Sequence, residues 1–145
     1  MAINKHDKLL LDNMHVKVKE HIWKLFLDWH YTDCARNISI FIEEEIKELH
    51  FIEQNKIQEK AKEMYWVSLM QSAFCLSKNT ITIWNLSSIS WKDKHNWYKD
   101  IFCWFITGIR NPLWHTTKMK LEKQEVIWIL FLASLLLFQI DNRLI

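Results

Sequence analysis

Trp97-Tyr98-Lys99-Asp100-Ile101-Phe102-Cys103-Trp104-Phe105-Ile106-Thr107-Gly108-Ile109-Arg110-Asn111-Pro112-Leu113-Trp114-His115 holds the clearest helical periodicity in the chain together with its two strongest helix breakers. Trp97, Tyr98, Ile101, Phe102, Phe105, Ile106 and Ile109 recur at spacings of three and four, which turns one face of a helix towards a core. Gly108 and Pro112 are the only glycine and the only proline among 145 residues. A β-sandwich or barrel needs such residues at its many turns, and a dinucleotide fingerprint or phosphate-binding loop needs several glycines. Those classes are excluded, and an all-α fold remains. No repeat and no Pro/Gly/Ser-rich linker interrupts the chain, so residues 1–145 read as a single domain.

Working upstream, a helical pattern over residues 9–26 places Met14, Val18, Ile22, Leu25 and Phe26 on one face. Asp28-Trp29-His30-Tyr31 interrupts it. Ile38, Phe41, Ile42, Ile46 and Leu49 then mark a second helix, whose Glu43, Glu44, Glu45, Lys47 and Glu48 read as a solvated face. The polar run 53–63 predicts a helix end and a connection, and residues 64–76 a short helix through Tyr65, Leu69 and Phe74. Residues 77–90 differ. Thr80-Ile81-Thr82-Ile83-Trp84 alternates as an extended segment does, but has no convincing partner run, which predicts an ordered excursion or short hairpin. Ser90 with Asp93 resembles a helix-capping pair. Downstream, residues 121–141 form the last helix. Its apolar run Val126–Ile140 covers 15 residues, short of the roughly 20 a bilayer crossing needs, so it reads as a buried core helix with no membrane role. The sum is a bundle of four to five helices with one irregular excursion.

Nineteen basic and seventeen acidic residues give a net charge of +2, so any polyanion contact must come from a local cluster. Lys118, Lys120 and Lys123 offer one, or simply a lysine-rich helix start. Three cysteines, Cys34, Cys75 and Cys103, form no C-x-x-C pair and read as reduced thiols of a cytosolic protein. The first residues lack the apolar stretch of a signal peptide. His15 and His30 have no partner at metal-ligand spacing, which predicts structural contacts and no metal site. Trp97 and Trp104 share a face and suit a base-stacking platform, but core packing is the commoner use of that spacing.

Proline disfavours the α conformation of the residue before it, so the helix carrying Arg110 is expected to end at Asn111 and to leave His115 in a loop. An arginine and a histidine brought together in this way suit phosphodiester chemistry. The guanidinium grips phosphate oxygens, and the imidazole moves a proton near neutral pH. They would cleave RNA through its own 2′-hydroxyl, with no metal, cofactor or protein nucleophile. Spacing alone is weak, since an arginine followed at this distance by histidine arises by chance in roughly 0.4 chains of this composition. Arg110 as a helix-end cation and His115 as a polar loop residue is the plain alternative.

The wider context is more specific. Gly108-Ile109-Arg110-Asn111-Pro112-Leu113-Trp114-His115 closely resembles the G-x-R-N-P-x-x-H signature of a Ymh-type branch of the HEPN superfamily of prokaryotic and phage proteins. Met14-His15-Val16, Leu25-Phe26-Leu27-Asp28-Trp29-His30-Tyr31 with Ala35, and Leu69-Met70 with Ala73-Phe74 resemble its upstream segments. Ala133-Ser134-Leu135-Leu136 falls where its final apolar helix lies. The matches span residues 14–141 in order. Trp29 replaces the usual glycine, and Trp114 replaces a small residue before the histidine. The resemblance implies a dimerising helical bundle in which the Arg and His of both copies line a shared, metal-independent ribonuclease cleft. Arg110 would hold the scissile phosphate, His115 would act as acid and base, and Asn111 would assist by hydrogen bonding. Such proteins can also carry an accessory acidic residue on the helix that holds Glu43-Glu44-Glu45. Lys118, Lys120 and Trp114 would contact RNA, although the Trp114 ring equally suits filling the dimer interface or covering the site. Substitution of the motif is expected to spare a fold built elsewhere. Many such proteins are toxins with an antitoxin partner or act in antiphage defence. Others are inactive modules that bind a protein or nucleotide.

Overall fold

The structure is a computed structural model that describes residues 5–53, 66–77, 81–83 and 86–144. Its regular elements are α1 (Lys5–Asp12), α2 (Val16–Leu27), α3 (Tyr31–Glu53), α4 (Trp66–Ala73), α5 (Ile89–Phe105), a π-helical turn (Ile106–Arg110), α6 (Asn111–His115) and α7 (Lys123–Asp141). No strand forms among the described residues beyond an isolated antiparallel bridge between Thr82 and Leu144. The all-α expectation is met.

α3 is the central element, with α2, α4, α7 and the π turn packed on it. Its inner face is Cys34, Ala35, Ile38, Ile42 and Ile46, all fully buried. Burial of one such large aliphatic side chain contributes about 1.5–3 kcal/mol. α7 covers α3 with Val126, Leu130, Ala133, Leu137 and Ile140. At 19 residues α7 is long and apolar enough to cross a membrane by length and composition, so the length argument alone does not dispose of that reading. Its inner side is packed into the bundle, while Trp128, Leu135 and Phe138 on its other side are exposed.

Several boundaries differ from expectation. The single helix over 9–26 is divided in two at Asn13-Met14-His15. His15 takes an extended backbone, and its Nδ1 accepts the Lys17 N–H at 3.1 Å, so it caps α2 as a Ser or Asp would. With Nδ1 as acceptor, Nε2 carries the ring proton and donates to Asp141 Oδ2 at 2.7 Å. The His15 backbone N–H donates to Ser134 Oγ at 3.0 Å. The structural role expected for this histidine is what it has.

The excursion between α4 and α5 is no hairpin. The Leu144 N–H donates to the Thr82 carbonyl at 2.8 Å, so the extended segment finds its partner at the other end of the chain. Ile81 and Ile83 bury themselves there; residues 78–80 and 84–85, like Met64 and Tyr65 of the expected short helix, lie outside the described residues. Ser88, not Ser90, caps α5, its Oγ accepting the Trp91 N–H at 3.4 Å.

The largest departure concerns Pro112. It does not end the helix. Residues 89–115 run on continuously through the π turn, where the Asn111 N–H reaches five residues back to the Ile106 carbonyl. In a plain α-helix the proline ring collides with the carbonyl four residues earlier. Here that residue is Gly108, and the widened turn relieves the collision, leaving Asn111 in the helical region at φ −64° and ψ −48°. His115 is therefore the last residue of α6, not a loop residue, and extended Thr116 terminates the helix.

Trp97 and Trp104 also depart from expectation. They are 56% and 61% exposed and do not belong to the core. Tyr98, Phe102, Phe105, Ile106 and Ile109 fill the inward stripe, and the two indoles lie off it.

Candidate active site

Arg110 leaves the π turn pointing at α3 and is buried. Its Nε donates to Glu43 Oε2 at 2.7 Å, with both side chains more than nine-tenths covered. Glu43 therefore does not lie on a solvated face. Neighbouring Glu44 is exposed, and Glu45 pairs with Lys17 at 2.6 Å. The other Glu43 oxygen, Oε1, accepts the backbone N–H of Trp66 at 2.9 Å. One carboxylate thus fixes the arginine of the motif and the first residue of α4.

Two indoles flank the guanidinium. Its central carbon lies 4.6 Å from the Trp114 ring centroid and 5.7 Å from that of Trp66, within cation–π range. His115 is exposed, with its ring edge-on to Trp66 at 6.0 Å between centroids. Trp66 is the shared neighbour of the arginine and the histidine. Asn111 is half-buried. Arg110 Nη1 and Asn111 Oδ1 are buried without a hydrogen-bond partner among the described residues. Such groups cost free energy unless something satisfies them.

Lys118 and Lys120 are exposed on the segment leading to α7, which the Leu121 N–H pins to Thr32 Oγ1 at 3.0 Å. Lys123 is lost to the expected cluster because it pairs with the mostly buried Asp7. Arg36 from α3 donates its Nε to the Leu113 carbonyl at 3.2 Å and holds the end of α6. His30 is exposed, 3.8 Å from Asp33. Cys34, Cys75 and Cys103 form no disulfide among the described residues, and burial pushes the Cys34 thiol up to about 12.

Glu43 was read as a solvated residue, with an accessory acidic role on its helix open only through the family resemblance, and Trp66 and Arg36 were not foreseen as parts of this site. A signal existed for the first. Ser39, Glu43, Ile46 and His50 follow spacings of four, three and four, and all four are buried, so polar residues recur there with the period of a core face. Trp66 offers no such signal, because its role depends on where α4 docks.

Fold and site define an all-helical protein with a buried arginine–carboxylate pair, walled by two tryptophans, at the end of a π-interrupted helix. The chain belongs to the family described as "Protein of unknown function (Hypoth_ymh)", whose model matches residues 12–140. No curated protein and no solved structure matches it.

Proposed function

We propose that this protein is a metal-independent endoribonuclease of the HEPN type, acting as a cytoplasmic homodimer in toxin–antitoxin or antiphage defence. The observation that carries the reading is that one ring, Trp66, lies against both Arg110 and His115, while Asn111, next to Arg110 in the same helix, keeps an amide oxygen with no hydrogen-bond partner among the described residues. In the reaction the ribose 2′-oxygen attacks phosphorus and the bond to the 5′-oxygen breaks. An imidazole accepts the 2′-hydroxyl proton, and the leaving 5′-oxygen takes one up. Arg110 offsets the charge that builds on the phosphorane oxygens. Two copies of the chain supply two imidazoles, one to accept and one to donate.

Gly108 supports pairing of two copies. It is exposed and helical, and a Cβ placed on it would come no nearer than 3.6 Å to the Trp104 ring. No steric contact among the described residues requires a glycine there, yet glycine within a helix costs about 1 kcal/mol. A close approach from outside accounts for it, beside the bare Trp104 surface.

One observation favours a second reading, a silent module that binds a protein or nucleotide. Glu43 already engages the Arg110 Nε, and Trp114 already lies over the guanidinium.

Purified protein is expected to cut RNA in excess EDTA, leaving 2′,3′-cyclic phosphate and 5′-hydroxyl ends, while DNA of the same sequence survives. His115→Ala should slow cleavage by at least about a hundredfold. The arginine is better tested as Arg110→Lys than as Arg110→Ala. Truncation would strand the buried Glu43 at a cost of about 3–5 kcal/mol, so the motif cannot be cut away without touching the fold. Cleavage by both variants at the parent rate sinks the assignment. An inert parent that captures one specific protein establishes the silent module. Sedimentation as a monomer at micromolar concentration counts against a shared site.

A further inference from the structure

We infer that Trp66 and Trp114 form a two-ring clamp for unpaired nucleobases beside the Arg110 phosphate contact, so that the site takes single-stranded RNA and rejects duplex. The ligand class rests on the ribonuclease reading; the clamp rests on the following geometry. Both indoles lie within cation–π distance of the same guanidinium, yet Trp66 remains 41% and Trp114 55% exposed. Large aromatic surface left open beside a buried cation suits a ligand with a flat π-face and an anionic group a few ångströms apart. A nucleotide is such a ligand. Every base has a π-face, and stacking on aromatic side chains is the usual way a protein holds a single strand without reading its sequence. A duplex keeps its bases stacked on one another and cannot offer them.

Two further observations place Trp66 in this role. Its backbone has φ 61°, a left-handed conformation that a bulky residue adopts only when held there. What holds it is the Glu43 oxygen on its N–H, from the carboxylate that also holds Arg110. The cation and the ring therefore stay in fixed relation. The Nη1 of Arg110, in a side chain more than nine-tenths buried, has no hydrogen-bond partner among the described residues, a covered donor that a phosphate oxygen would satisfy on reaching the guanidinium.

The test uses the full chain and fluorescence anisotropy with three labelled probes. These are a 2′-O-methyl single strand that cannot be cleaved, the same strand with abasic positions, and the corresponding duplex. The parent should bind the base-bearing strand at least about tenfold more tightly than either of the others. Trp66→Ala and Trp114→Ala should each remove that preference, so that the base-bearing and abasic strands bind alike. Trp66→Phe and Trp114→Phe, which keep a ring, should retain most of it and carry the test if an alanine variant fails to fold. Loss of binding to the base-bearing and abasic strands alike overturns the clamp and leaves the indoles as a cover for the ion pair. So does a preference that survives both alanine substitutions. A protein that cleaves RNA without any base preference keeps the nuclease and loses the clamp. A base preference without cleavage keeps the clamp and loses the nuclease, and a protein that neither binds nor cleaves loses both.

Discussion

Trp29 closes α2 in a backbone conformation that glycine adopts freely and tryptophan does not. Its φ is 66°, its N–H donates to the Phe26 carbonyl at 3.3 Å, and the His30 N–H reaches the Leu25 carbonyl at 2.9 Å. That pair of bonds is the Schellman helix ending, in which this position is usually glycine. The turn forms with tryptophan in the glycine position and keeps the strain. A left-handed residue with a Cβ costs roughly 1–2 kcal/mol, and the exposed indole has little burial to lose. Trp29→Gly is therefore expected to raise the unfolding free energy by about 1 kcal/mol, read as a higher urea midpoint at unchanged slope. At this scale the catalytic candidates were legible, because a chain poor in helix breakers placed both beside Arg110 and His115. Glu43 was masked by its place in a run of three glutamates, and only the stripe through Ser39 and His50 betrays it.

Among the elements, α5, the π turn and α6 form one helix where sequence reasoning saw a helix and a loop. Apart from Trp97, the periodic residues were read correctly, and so was the conflict that Pro112 creates. What could not be read is that a helix has a way to widen instead of ending, since a change of hydrogen-bond partner leaves no mark on side-chain spacing. The outward face was misread for a related reason. Periodicity tells which residues share a side, and Trp97 and Trp104 share one, but the core was already filled by Tyr98, Phe102 and Phe105. Gly108→Ala probes this helix. The new methyl would sit in ordinary contact with the Trp104 ring, so the isolated chain should gain about 0.5–1 kcal/mol of stability. If a second copy crosses at this point, the same variant should dissociate more readily in sedimentation. Unchanged association would move the crossing elsewhere.

For the whole molecule, distant parts of the chain are tied by polar contacts around a common core. His15 joins α2 to Asp141 at the end of α7, Lys123 joins α7 to Asp7, and Leu144 pairs with Thr82. His95 joins α5 to the end of α4, its Nε2 donating to the Phe74 carbonyl at 2.9 Å, with Nδ1 buried and unpartnered. Burial pushes this imidazole below its ordinary 6.5, with Lys99 adding to the effect and the Phe74 bond opposing it. The sign follows by linkage. The unfolded chain binds the proton more readily than the folded one, so stability is complete above about pH 6.5 and is lost as pH falls below it. Denaturation between pH 7 and 5 should show the parent losing stability more steeply than His95→Gln. An equal slope would mean that this histidine does not set the acid response.

The π turn also bears on which changes of chain length the protein can absorb. A ring closed over five residues holds one more than a ring closed over four, so residues 106–110 store a surplus residue inside an otherwise regular helix. Deleting Thr107, which is exposed, would return the segment to α-helical winding and leave α5 and α6 facing their present neighbours. The deletion would also bring the Pro112 ring back against a carbonyl. The shortened chain is therefore expected to fold poorly by itself and to recover when Pro112→Ala is added, a rescue that circular dichroism and thermal melting would detect. The surplus residue and the proline are then two halves of one accommodation. A lineage that lost the surplus residue would be expected to lose the proline with it.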